Sequence, residues 1–160
     1  MADSLLEEFG GVLQQRIKES ADGLWSRSFS ELITPVIEAQ LNHALIQSES
    51  DHLLVFLLEG EERGVIPVYQ LSIDGEKRER ADFDGAEPII EGMLAMVCAS
   101  GQPICENAAQ TNPYRNAEID SLVGAETKDL ILTPLSFADR LRGAIAFVRC
   151  LLYTSPSPRD

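Results

Sequence analysis

The chain has 160 residues, enough for one domain with a sizeable core, and is 44% hydrophobic and 24% charged, an ordinary globular balance. With 26 acidic residues against 13 basic ones its net charge is −13. That field repels phosphate backbones and anionic lipid, which argues against a nucleic-acid or membrane-surface partner. No run approaches the roughly 18 apolar residues of a membrane span. The opening MADSLLEEFGG carries acids where a secretory signal is basic, so a cytoplasmic protein is expected.

In chain order, Leu5, Leu6, Phe9, Val12, Leu13 and Ile17 fall at helical spacing over residues 4–20. Gly10 and Gly11 weaken that helix, so it needs a partner, in its own domain or in a second chain. A break at Ala21–Gly23 precedes a second helical region over 24–33. Thr34 before Pro35 reads as an N-cap opening an amphipathic helix over 35–47. Leu53–Leu58 (LLVFLL) is an unbroken apolar run, the signature of a central strand covered on both faces. A charged, glycine-bracketed loop (59–64) leads to a return strand over 65–73. Pro67 cannot donate to a ladder, so this strand is expected at an edge or with a bulge at that point.

Residues 74–87 are polar and hold no expected core. Pro88 opens a helix over 88–100 with Ile89, Ile90, Met93, Met96 and Val97 on one face, and Gly101 closes it. A short strand follows at 103–106, then a polar loop (107–115), a helical turn within 116–123, and two strands at 129–135 and 141–149. No internal repeat is present. The order describes a mixed α+β domain built on one antiparallel sheet.

Several chemistries lack their residues. His43 and His52, the two histidines, have no cysteine at ligand spacing, so no metal site is expected. No nucleophile, base and orienting group come together in the pattern, and no phosphate-cradling glycine motif occurs. Cys98, Cys105 and Cys150 form no CxxC and no even framework, so free, mostly buried thiols are expected.

Two passages carry a family resemblance. ASGQPICENAAQTNPY (99–114) is similar to the passage of GAF domains in which a glycine ends a helix, a proline starts a strand and a polar loop roofs the pocket. GAETKDLILTPLSFADRLRGAIAFV (124–148), with Thr127, Lys128, Pro134, Leu135, Leu141 and Gly143, resembles the closing strand pair of that family. The resemblance covers residues 35–149 and implies a central antiparallel sheet of five to six strands in the order 2-1-5-4-3, with helices packed on it. It divides the chain into an N-terminal helical lead (1–34) and the GAF-like domain (35–149); separately, the tail CLLYTSPSPRD (150–160) resembles a non-native read-through sequence, the alternative being the start of a natural Ser/Pro-rich linker.

The resemblance implies a pocket between the sheet, the 88–100 helix and the 107–123 loop. Tyr69, Met93, Met96, Asn107, Tyr114, Asp120, Thr127 and Thr133 are the candidate ligand-binding residues. The alternative is that Met93 and Met96 fill core and that Asn107 and Asp120 cap loops. Some GAF proteins reduce free methionine sulfoxide with cysteines, and Glu126-Thr127-Lys128 resembles part of that pattern. Their reactive positions fall near Leu94 and Val123 here, neither a cysteine. Neither Cys98 nor Cys105 is followed by the histidine of bilin-attaching domains, and the cyclic-nucleotide signature is absent.

The implied function is a regulatory, non-enzymatic, small-molecule-sensing domain in signal transduction, acting through ligand-biased conformational change. Its ligand and any cofactor are left unspecified. The expected partners are a second copy, bound through the N-terminal helices, and an effector domain following in a longer protein. The alternative is a ligand-free dimerisation module, and behind both stands a cysteine-dependent reductase.

Overall fold

Leu53–Leu58 forms the inside of strand β1 (His52–Glu59), which lies third in a six-stranded antiparallel sheet. The computed structural model describes residues 2–25, 35–59, 64–137 and 139–151. The other strands are β2 (Gly64–Ser72), β3 (Lys77–Glu79), β4 (Ile104–Glu106), β5 (Thr127–Phe137) and β6 (Arg140–Cys150), and the order is β3-β2-β1-β6-β5-β4. With β3 set aside, this is the 2-1-5-4-3 order expected from the sequence.

The helices are α1 (Ala2–Trp25), α2 (Pro35–Gln47), α3 (Gly92–Ser100) and α4 (Ala117–Val123). They split the apolar residues into two layers. On one face of the sheet, Met93, Leu94 and Val97 of α3 and Ile119 of α4 pack against Leu54, Phe56, Leu130, Leu132, Ala144, Ala146 and Val148. On the other, Leu45 of α2 packs with Leu53, Val55, Leu57, Ile66, Val68, Tyr69 and Leu71. Alternate residues of β1 therefore feed opposite layers, which is why its sequence is apolar without interruption.

Pro67 sits where the register slips. Val55 pairs with Tyr69 and Phe56 with Pro67, leaving Val68 as the extra residue of a bulge. β2 is not the sheet edge, because β3 pairs with residues 69–71. Short and wholly polar (Lys-Arg-Glu), β3 lies inside the stretch expected to be loop. That stretch also contributes to the core, since Phe83 is buried beneath the Arg78 guanidinium, 4.5 Å from its ring centre.

The helix expected from Pro88 begins at Gly92, whose φ of +81° is left-handed. Before it, Ile89 bridges β2 by a reciprocal pair of backbone bonds with Val65 (3.0 and 2.8 Å). The buried face differs from the expected one: Met93, Leu94 and Val97 are buried and Met96 is exposed, while Ile90 lies exposed ahead of the helix.

α1 continues through Ala21–Gly23, since a single glycine costs a helix only about 1 kcal/mol. The second helical region expected at 24–33 lies outside the described residues beyond Trp25. Leu5, Leu6, Phe9, Val12 and Leu13 of α1 are 49–69% exposed, a continuous apolar stripe. Strand β6 runs one residue past Arg149, and the expected tail lies outside the described residues from 152 on.

Candidate functional site

The loop after β4 is shaped by its own side chains. The Glu106 carboxylate accepts hydrogen bonds from the Ala108 N–H (2.9 Å) and Asn112 Nδ2 (2.8 Å), and these hold its pKa below the ordinary value. Asn112 Oδ1 in turn accepts from the Tyr114 N–H (2.8 Å). The loop is then clamped onto the start of α3. The Met93 N–H donates to the Tyr114 carbonyl (2.8 Å). Asn116 Oδ1 accepts from the Leu94 N–H (3.0 Å), and Asn116 Nδ2 donates to the Glu91 carbonyl (2.9 Å). Asn116 is also the N-cap residue of α4, yet its side chain makes no bond to α4; it satisfies one orphan amide of α3, the Leu94 N–H, instead.

On α4, Asp120 Oδ1 accepts from both the Thr127 N–H (3.0 Å) and Thr127 Oγ1 (2.6 Å). Arg115 approaches the other oxygen at 3.9 Å and donates to the Gln110 carbonyl at 3.4 Å. These groups enclose a cleft lined by Met93, Ala109, Gln110, Arg115, Asn116, Ile119, Asp120, Thr127 and Leu130, with a volume of about 10 Å³. That is room for a single water. Gln110 Nε2 is buried and, among the described residues, has no hydrogen-bond partner.

Of the eight residues read from the sequence, the cleft brings together Met93, Asp120 and Thr127. Tyr114 contributes its carbonyl while its ring is exposed. Asn107 is exposed, and Met96 is turned towards solvent on α3. Tyr69 belongs to the opposite layer, where burial, with Glu38 and Glu79 adding, pushes its phenol up to about 12. Thr133 faces away too, since Leu130 and Leu132 take the α3 side and strand alternation turns 131 and 133 to the other. Sequence reading missed Gln110, Arg115 and Asn116. The one available signal was an asparagine ahead of a helical turn, which marks a cap without saying which helix it caps.

On the far flank of α4 is a wider groove of about 550 Å³, lined by Pro67, Arg78, Ala86, Glu87, Pro88, Ile89, Ala117, Glu118, Ser121 and Leu122. The seven-residue α4 thus stands between a tight polar cleft and an open groove.

His43 is exposed on α2, and His52 lies at the start of β1 with Nδ1 2.9 Å from Ser72 Oγ. Burial lowers the His52 pKa against the opposing pull of Asp51, Asp74 and Glu76. Among the described residues no cluster of three metal-ligating side chains occurs, and no helix is long and apolar enough to cross a membrane. The cysteines are free but not uniformly buried. Cys105 is exposed because it occupies the edge strand, while Cys98 is half-buried and Cys150 buried. Burial raises the Cys98 thiol pKa and pushes Cys150 up to about 11. Limited alkylation of the folded chain is therefore expected to label Cys105 first, as read by peptide mass mapping. Equal labelling of all three would contradict this placement.

No protein-family model and no curated protein matches the sequence. Solved structures do match the fold. A GAF domain from an Acinetobacter phosphoenolpyruvate-protein phosphotransferase superposes with a TM-score of 0.51 at 10% identity, covering 69% of this chain and 61% of that one. The GAF domain of a Coxiella burnetii phosphoenolpyruvate-protein phosphotransferase gives 0.50 at 13% identity over 86% of this chain and 75% of that one. A Staphylococcus aureus NreA protein mutated in its nitrate-binding site gives 0.51 at 12% identity over 79% of this chain and all of that one. The fold is that of a GAF domain.

Proposed function

We propose that this GAF fold serves as a regulatory, small-molecule-sensing domain in signal transduction, without catalysis of its own. The observation that carries the reading is Gln110, which lines a cleft beside Arg115, Asn116 and Asp120 and whose buried Nε2 has no hydrogen-bond partner among the described residues. A ligand that favours one placement of the 107–123 loop shifts the population of that placement. The shift has a path outward. Asp120 holds Thr127, Thr127 pairs with Cys150, and the Cys150 N–H donates to Asp51 Oδ2 just beyond α2 (2.8 Å).

In this reading the water-sized cleft widens as the 107–123 loop shifts, Met93, Asp120 and Thr127 then line the ligand site, and the apolar stripe of α1 joins two copies. A further effector domain in the longer protein receives the signal in the cytoplasm. A seated ligand stabilises the domain by mass action, by about 2.7 kcal/mol at about 100 times Kd, or roughly 5–10 °C in melting temperature for a chain of this size. Melting curves of the purified chain against a panel of small anions and polar metabolites test this. Nitrate belongs in the panel because one fold relative has a nitrate-binding site. The expected result is a shift that Gln110→Leu removes. A panel that leaves the melting temperature unmoved overturns the sensing reading.

The narrowness of the cleft supports a second reading, a ligand-free dimerisation module. Under it the chain sediments as a dimer that Phe9→Glu dissociates, and no ligand moves its stability.

A further inference from the structure

The groove on the outer flank of α4 has ligand-site dimensions, about 550 Å³ against roughly 300–1,000 Å³ for small-molecule pockets. Its one cation, Arg78, is unusually placed for a chain with net charge −13. Among the described residues no carboxylate lies at ion-pair distance from it. Its partners are uncharged oxygens at the long end of hydrogen bonding: Asp82 O at 3.2 Å from Nη2, with Gln70 Oε1 (3.4 Å) and Leu122 O (3.5 Å) sharing Nη1. The Phe83 ring fixes the plane of the guanidinium. The result is an oriented fork held by neutral acceptors at long distances, which a carboxylate would displace to bind in two parallel bonds.

The rest of the groove narrows the choice. Pro67 and Ile89 are buried and Leu122 half-buried, giving an apolar wall, while the exposed Glu87 and Glu118 put two negative charges on the rim. A phosphate dianion is repelled by that rim. A ligand carrying both a carboxylate and an ammonium satisfies both signs.

We propose that the groove seats a small zwitterion with an apolar body, the chemistry of a free apolar amino acid. Arg78 receives the carboxylate, the Glu118 side attracts the ammonium, and Pro67, Ile89 and Leu122 cover the side chain. The proposal adds to the sensing reading a second site, across α4 from the Gln110 cleft, and names the ligand class of that site. Because Leu122 O is a last-turn carbonyl of α4, a carboxylate that draws Arg78 away from it loosens the tie between β3 and α4, which makes α4 the element that responds.

The test is thermal stability and calorimetric titration of the whole chain with apolar amino acids, each beside its amide, which lacks the carboxylate, and its N-acetyl form, which lacks the ammonium. The free amino acids are expected to bind and both blocked forms to bind about tenfold or more weakly, as for loss of a charge-assisted bond. Arg78→Lys, which keeps the charge but not the fork, is expected to weaken binding by a similar factor. Since Arg78 also ties β3 to α4, Ser121→Trp at an exposed position of α4 provides a blocked groove without touching it, and is expected to abolish binding in a folded chain. Binding that survives Arg78→Lys and Ser121→Trp, or amides that bind as well as the free acids, overturns the proposal. So does the absence of any binding by the amino acids. If nitrate or another small anion still shifts the melting temperature through Gln110, the sensing reading stands and the zwitterion assignment alone fails.

Discussion

Replacing Gly143 with alanine should leave little or no cooperatively folded protein. Gly143 pairs with Leu57 of β1 on one side and Leu135 of β5 on the other. A Cβ there would fall on the Phe56 carbonyl oxygen and within 2.9 Å of the Leu57 Cα. Both obstacles are backbone, so no rotamer change relieves them, and β1–β6 is the central pairing of the sheet. Overpacking that only side chains must absorb costs about 1–3 kcal/mol. Here two strands must separate, and a loss above about 4 kcal/mol is expected, a large part of the 5–15 kcal/mol that typical domains hold. Urea denaturation followed by circular dichroism measures it. Gly10→Ala is the matched control, since a Cβ there meets nothing within 4 Å and alanine should favour the helix by about 0.5–1 kcal/mol. A Gly143→Ala midpoint equal to that of the parent would refute the close approach.

Asn116→Ala is the second large effect, expected at about 2–4 kcal/mol. The side chain is buried and serves two backbone groups of another helix, the Leu94 N–H and the Glu91 carbonyl. Each buried group left unpaired costs about 1–3 kcal/mol. Gly92 permits the arrangement, because a Cβ there would lie 2.5 Å from Asn116 Nδ2. Asn116→Asp keeps the acceptor for Leu94 and favours the positive end of α3, and should recover more than half of the loss. If alanine costs under about 0.5 kcal/mol, within the range of an ordinary surface change, the clamp between the loop and α3 is not structural.

These two residues bracket what could be read from the sequence. The central strand was legible because an apolar run without alternation fits only a strand covered on both sides. The difficulty at Pro67 was legible because proline has no N–H to give. The outcome of that difficulty was not. Strict alternation from Val65, which faces α3, puts Tyr69 on the site face; the bulge at Val68 turns it to the α2 layer. One inserted residue removed a ligand candidate. Lys77–Glu79 escaped because three charged residues have no hydrophobic period, and their strand character comes from pairing with β2. Of the residues that line the cleft, Asp120 and Thr127 were named through family resemblance. Arg115 and Asn116 were not, since their partners lie on α4 and α3 and no local pattern announces contacts across 5 to 25 positions.

The strand order has a consequence for how the chain comes to be folded. β1 and β2 are neighbours in sequence and pair as soon as both exist, but the other edge of β1 is matched to β6, His52 opposite Val148. During synthesis, with residues appearing at roughly 5–20 per second, that edge stays bare until nearly a hundred further residues have been added. An apolar strand with an open ladder is the template for pairing with other chains. Gly143 lets β6 pack at full contact against β1 when it arrives, and that pairing closes the exposed edge.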